Sequence, residues 1–176
     1  MRKISSHEIA LSGLSCAMAT ALLVIGIYSE ILLLSAYLVA SIALMLPLAK
    51  QSWWGFSLSY LATCILTFIF TSWKFWDLLP FIMFFGLHPL INELQLKIKI
   101  NRWVAFAIKA AWFDGAMYLI WRFIFEMTTT ITFLDKYMIW VILIGGTAFF
   151  LLYDYVAFKW RGIVNKLVVR ITGNKK

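Results

Sequence analysis

The sequence predicts an all-α integral membrane bundle of six transmembrane helices, and three observations carry that prediction. The chain is 63% hydrophobic and only 14% charged over 176 residues, whereas a soluble domain is about half apolar and a quarter charged. Apolar runs close to the roughly 20 residues that cross a hydrocarbon core recur along its length. The basic residues gather in alternate connections between those runs. The length fits one domain, residues 1–176.

The spans fall near 9–27, 31–48, 53–72, 75–94, 103–125 and 138–158, joined by short linkers. The first run lacks a small-residue cleavage site and is followed by further spans, so it is expected to stay as a helix and not to act as a removable leader. Trp53 and Trp54 begin the third span, Trp73 and Trp76 sit at the turn before the fourth, Trp103 begins the fifth and Trp160 follows the sixth. Such rings favour the headgroup level and mark span ends. Pro80 and Pro89 lie near the two ends of the fourth span. A proline there frees a carbonyl that a neighbour must satisfy, so a kink is expected.

Charge placement then orients the bundle. One set of segments carries Arg2, Lys3, Lys50, Lys97, Lys99, Arg102, Lys159, Arg161, Lys166, Arg170, Lys175 and Lys176. The opposite set carries only Lys74 and Lys136, beside Glu30, Asp77, Glu126 and Asp135. Basic residues stay on the cytoplasmic side, so both ends of the chain are expected there, with a basic tail over 159–176. The tail alternates Ile163, Val164, Leu167, Val168 and Ile171 with basic residues. It suits a helix on the inner leaflet or against a partner. A formal charge of +8 on a soluble protein would suggest nucleic acid. Here membrane sidedness explains it, and no nucleic-acid partner is expected.

Several positions could carry function. In the first span Gly13, Ala17 and Ala21 recur every four residues, a flat stripe where another helix backbone can approach, either from the same chain or from a partner. In the fifth span Tyr118, Trp121 and Arg122 lie about 40°, −20° and 80° around the helix from Asp114. All four share one broad face between mid-membrane and the outer end. An ionisable residue at that depth is costly unless paired or hydrated, and marks a functional site by default. Asp114 and Arg122 are about 12 Å apart along the axis, so each needs another partner: a polar ligand, or, for Asp114, Lys109 or a hydroxyl on another helix. The outer turn supplies Trp73, Trp76 and Asp77, either as a cap to a cavity or as interfacial anchors. A run of Thr128, Thr129, Thr130 and Thr132 suits a short extended cap or a plain connector.

At the inner ends, Lys109 is expected to snorkel to the cytoplasmic headgroups. His88 is expected to be a hydrogen-bonded structural group near Asn92 and Glu93, and Asp154 to pair at the inner surface with Lys159, Arg161 or Lys109. Cys16 and Cys64 lie in apolar runs without a CxxC partner and suit buried small hydrophobes. The chain shows no HExxH, GxSxG or phosphate-binding loop. No enzyme activity, cofactor or metal is therefore expected, and energy for transport would have to come from another subunit.

The assembled picture resembles the substrate-binding S-components of energy-coupling factor transporters, most closely in size, six spans and the Gly13, Ala17 and Ala21 stripe. The resemblance implies that the stripe docks a transmembrane coupling subunit driven by ATPase subunits. It also implies that Asp114, Tyr118, Trp121, Arg122, Trp73, Trp76 and Asp77 line an outer cavity for a small, vitamin-like or aromatic substrate. The chain departs from the family in its short first outer loop and in lacking an acidic motif at the second helix. The expected setting is a bacterial cell membrane. The alternative is a membrane scaffold subunit of an envelope or cell-shape complex, with its polar residues serving helix packing.

Overall fold

The structure, a computed structural model, describes residues 5–29, 31–122 and 137–172. Arg2, Lys3, Glu30, Glu126, Asp135, Lys136, Lys175, Lys176 and the threonine run from Thr128 to Thr132 lie outside them. The described residues form an all-α bundle of six helices: α1 (Ser6–Ser29), α2 (Leu33–Leu48), α3 (Trp53–Phe70), α4 (Phe75–Ile98), α5 (Arg102–Ile120) and α6 (Tyr137–Ile171). Five are long and apolar enough to cross a membrane, and α2 is shorter. Each follows a span expected from the sequence.

Local chemistry sets the helix ends. The Ser52 side chain accepts from the Gly55 amide at 3.3 Å and starts α3. The Asn101 side chain accepts from the Trp103 amide at 2.9 Å and starts α5. Both are standard N-cap residues. Lys99 closes α4 with a left-handed φ of 56°, and Ser72 and Trp73 take φ of 53° and 68° in the turn between α3 and α4. The three- and four-residue connections from α1 to α5 keep these consecutive helices antiparallel. The Tyr28 hydroxyl at the end of α1 accordingly meets the Phe70 carbonyl at the end of α3, at 3.0 Å.

Without a hydrophobic force between helices in lipid, packing and interhelical hydrogen bonds hold such a bundle. α1 packs mainly on α2 and α3. Gly26 of α1 is buried where a side chain would run into Ala36 of α2. Ser15 donates to the Ala43 carbonyl at 3.0 Å, and Ser59 to the Ser12 carbonyl at 2.8 Å. On the other side, Phe84 is fully buried among Phe113, Phe150 and Tyr153, with ring centroids 4.8, 5.9 and 6.0 Å away.

α4 is not one regular helix. An α-helical turn, Phe75–Pro80, passes into a π-helical segment, Phe81–Phe85, and regular helix resumes at His88 with Pro89 in its first turn. Pro80 has no amide hydrogen to give, and the Gly86 amide bonds back five residues to Phe81 at 2.8 Å. The Asp77 carbonyl in the broken turn accepts from the Tyr37 hydroxyl of α2. A second π-helical segment, Val141–Gly146, lies in α6.

The helix of α6 runs on without a break through the segment expected to be a separate tail. Its 35 residues span about 52 Å, well beyond a hydrocarbon core of about 30 Å. Val164 and Val168 are buried in the core cluster, and Arg161 makes a two-pronged ion pair with Glu93 of α4.

Candidate functional site

Two places in the bundle combine concavity with chemistry. The first is a closed polar ring toward the cytoplasmic end, as the charge pattern orients it. His88 and Asn92 are one helical turn apart on α4 and so share a face. Lys109 comes from α5 and Asp154 from α6. The Lys109 ammonium donates to Asn92 Oδ1 at 2.9 Å and to Asp154 Oδ1 at 2.6 Å. That sets the Asn92 amide nitrogen toward His88 Nδ1, at 3.4 Å. His88 Nε2 is then the protonated nitrogen and donates to Asp154 Oδ1 at 3.0 Å. Lys109, Asp154, His88 and Asn92 therefore bond in a circuit across three helices.

Burial explains why the circuit must close. Lys109 and His88 are 2% and 0% exposed. An ammonium taken out of water is tolerated only with an opposite charge and filled hydrogen bonds. The expectation that Lys109 snorkels to the headgroups is thus overturned. Its stem points across the bundle toward α6, where a carboxylate offers more than the interface would. Asp154 is likewise no plain inner-surface residue, since Lys109 and His88 hold it. Among the described residues, no group of three or more His, Cys, Asp or Glu could hold a metal ion.

An inner cavity of about 890 Å³ opens beside this ring, between the end of α4, the start of α5 and α6. Asp154 forms part of its wall, with Trp103, Phe106, Leu151 and Phe158 as apolar sides and Lys99 and Arg102 among its lining residues.

The second place is an outer cavity of about 420 Å³ between α2, α4, α5 and α6. Tyr37, Pro80, Phe85, Phe113, Met117 and Trp121 line one side, and Met138, Val141, Gly145 and Phe149 the other. Both π-helical segments border it. Such segments concentrate at functional sites because they bulge the backbone and open space beside it. Gly145 faces open space, whereas a side chain at Gly146 would come within 3.0 Å of Asp114 Oδ1.

The residues picked out by the sequence distribute unevenly around this cavity. Trp121 lines it, and the Tyr118 ring lies 6.2 Å from the Trp121 ring on the outer flank. Asp114 sits behind the wall at Gly146. Its Oδ2 accepts from Thr147 at 2.8 Å, and its Oδ1 is buried without a protein partner. Arg122 is exposed near the outer end of α5. Trp73 and Trp76 are 70% and 55% exposed at the outer turn, outside the cavity lining. Asp77 contributes its carbonyl to Tyr37. Gly13, Ala17 and Ala21 are exposed along α1, and a side chain at Gly13 would meet nothing within 4 Å. Sequence reasoning missed Tyr37, Met117, Met138 and Gly145, which carry no motif. The one available signal was the proline at the head of an aromatic run, Pro80 to Phe85.

Fold and site together define a multi-pass, all-α membrane protein with one apolar cavity in its outer half and one charged ring in its inner half. Comparison with protein-family models, with curated proteins and with solved structures gave no match.

Proposed function

We propose that the chain is the substrate-capture subunit of an importer of the energy-coupling factor type, in a bacterial cell membrane. It takes a small, largely apolar or aromatic molecule from outside into the outer cavity. It relies on a transmembrane coupling subunit and ATPase subunits for the inward step. The outer cavity carries this reading. Its volume lies within the roughly 300–1,000 Å³ of ligand pockets, and apolar walls with few polar groups are typical of them. The small-residue stripe on α1 adds support, since among the described residues Gly13, Ala17 and Ala21 are exposed and open to a partner helix. The ligand inferred from the cavity is more apolar than one chosen by Asp114 and Arg122 would be.

Gly145→Trp tests the reading, because Gly145 lines the cavity and a Cβ added there meets nothing within 4 Å. Purified protein in nanodiscs is titrated with a panel of ring-containing small molecules, and bound ligand is measured by equilibrium dialysis. Saturable binding by the wild type, lost in a folded Gly145→Trp, is the expected result. No saturable ligand, or binding that survives the substitution, refutes it. The scaffold reading has its own support: Asp114, Asp77 and Tyr37 spend polar groups on interhelical bonds. A scaffold would give the refuting outcome.

A further inference from the structure

We propose that the inner cavity holds an anionic phospholipid of the cytoplasmic leaflet, phosphate at Lys99 and Arg102 and acyl chain along the apolar wall. Four observations carry it. First, Lys99 opens the three-residue link between α4 and α5 and Arg102 begins α5 directly after it, and the left-handed Lys99 backbone and the Asn101 cap fix that link. Among the described residues neither Lys99 nor Arg102 has an acidic partner. Second, the one carboxylate in the wall, Asp154, is already held by Lys109 and His88. The cavity's positive charge at Lys99 and Arg102 is therefore left uncancelled.

Third, the wall passes from charge to hydrocarbon over a short distance. Phe106 lies one helical turn deeper than Arg102, and Leu151 lies about 4.5 Å along α6 beyond Asp154. Trp103 and Leu151 are exposed on the bundle surface, so the cavity opens sideways into lipid as well as toward water. A charged group beside an apolar channel is the outline of an amphiphile. Fourth, about 890 Å³ far exceeds what a free phosphate fills. Basic pockets between helices on this face are where anionic headgroups bind, at about 1 kcal/mol per cation.

The test is native mass spectrometry of the full chain released from nanodiscs of mixed phosphatidylglycerol and phosphatidylcholine. The wild type is expected to retain one phosphatidylglycerol in preference to phosphatidylcholine. Lys99→Ala with Arg102→Ala should weaken retention roughly 30-fold. The exchange Lys99→Arg with Arg102→Lys should restore it. Lys159→Ala with Lys166→Ala removes the same charge from the same side outside the cavity and should leave retention unchanged. Equal retention of both lipids, an equal loss in the two alanine pairs, or displacement by millimolar inorganic phosphate would overturn the proposal. Thermal unfolding in detergent checks that each variant is folded.

Discussion

Asp154→Ala is the most informative single perturbation of the polar ring. It removes the oxygen that accepts from both His88 Nε2 and Lys109 Nζ. The Lys109 ammonium, 2% exposed, is left with Asn92 Oδ1 alone. Stranding one partner of a buried ion pair costs about 3–5 kcal/mol. Asn92 remains as a partner and the Asp154 side chain is 15% exposed onto the cavity, so the lower end, about 3 kcal/mol, is expected. Lys109→Met strands a carboxylate that still accepts from His88 and touches the cavity, and should cost about 1–2 kcal/mol. The double variant buries no unpaired charge, so its loss should be close to that of Lys109→Met alone. The double-mutant cycle then gives a coupling of about 3 kcal/mol, the whole cost of Asp154→Ala, where independent sites add to within about 0.5 kcal/mol. Reversible unfolding in mixed micelles, followed by tryptophan fluorescence, measures all four proteins. Additive losses would show that the two charges are not a unit.

Three further outcomes follow from the packing. Gly26→Val should cost about 1–3 kcal/mol by forcing α1 away from Ala36, while Gly13→Ala should leave unfolding in the same assay unchanged or slightly harder. Thr147→Val should cost about 1–2 kcal/mol, because both Asp114 oxygens are then without a protein donor; no loss would mean that water already serves the carboxylate. Ala17→Leu should leave the monomer's stability within about 0.5 kcal/mol, since the position is exposed. It should abolish co-purification with a coupling subunit, and intact assembly would remove the docking role.

The spans were legible because lipid imposes length and charge sidedness on every helix, whatever its neighbours. Pro80 likewise announced an irregular α4, since the missing amide hydrogen is a property of the residue itself. That a hydroxyl on another helix would hold Asp114 was legible as a class of partner, though not as Thr147. The polar ring was legible only in pieces: Lys109 stood among the partners expected for Asp154, and His88 was placed near Asn92, but their closure into one circuit was not foreseen. His88 and Asp154 are 66 residues apart, and Lys109 and Asp154 45, so only the crossing of three helices brings them together. Lys109 was misjudged because two destinations competed: headgroups are available to any lysine near a helix end, and only the placing of α6 shows that Asp154, one of several possible pairings, faces it. The outer cavity left still less trace, because it is a shape between apolar side chains with no residue type of its own.

The π-helical segment Phe81–Phe85 has a consequence for how this chain can change over generations. Such a segment is an α-helix carrying one inserted residue. Deleting one residue there would close the bulge into regular winding and leave the rest of α4 facing as it does, because five π-helical residues turn about as far as four α-helical ones. His88 and Asn92 would keep the face that meets Lys109 and Asp154, and the change would fall on the outer cavity, whose wall includes Phe85 of this segment. Phe81, Phe84 and Phe85 are buried, so smaller apolar residues in those places would leave cavities, whereas Ile82 and Met83 are half-buried. Descendants of this sequence should therefore vary Ile82 and Met83 more freely than the three phenylalanines, and could lose the extra residue without disturbing the polar ring.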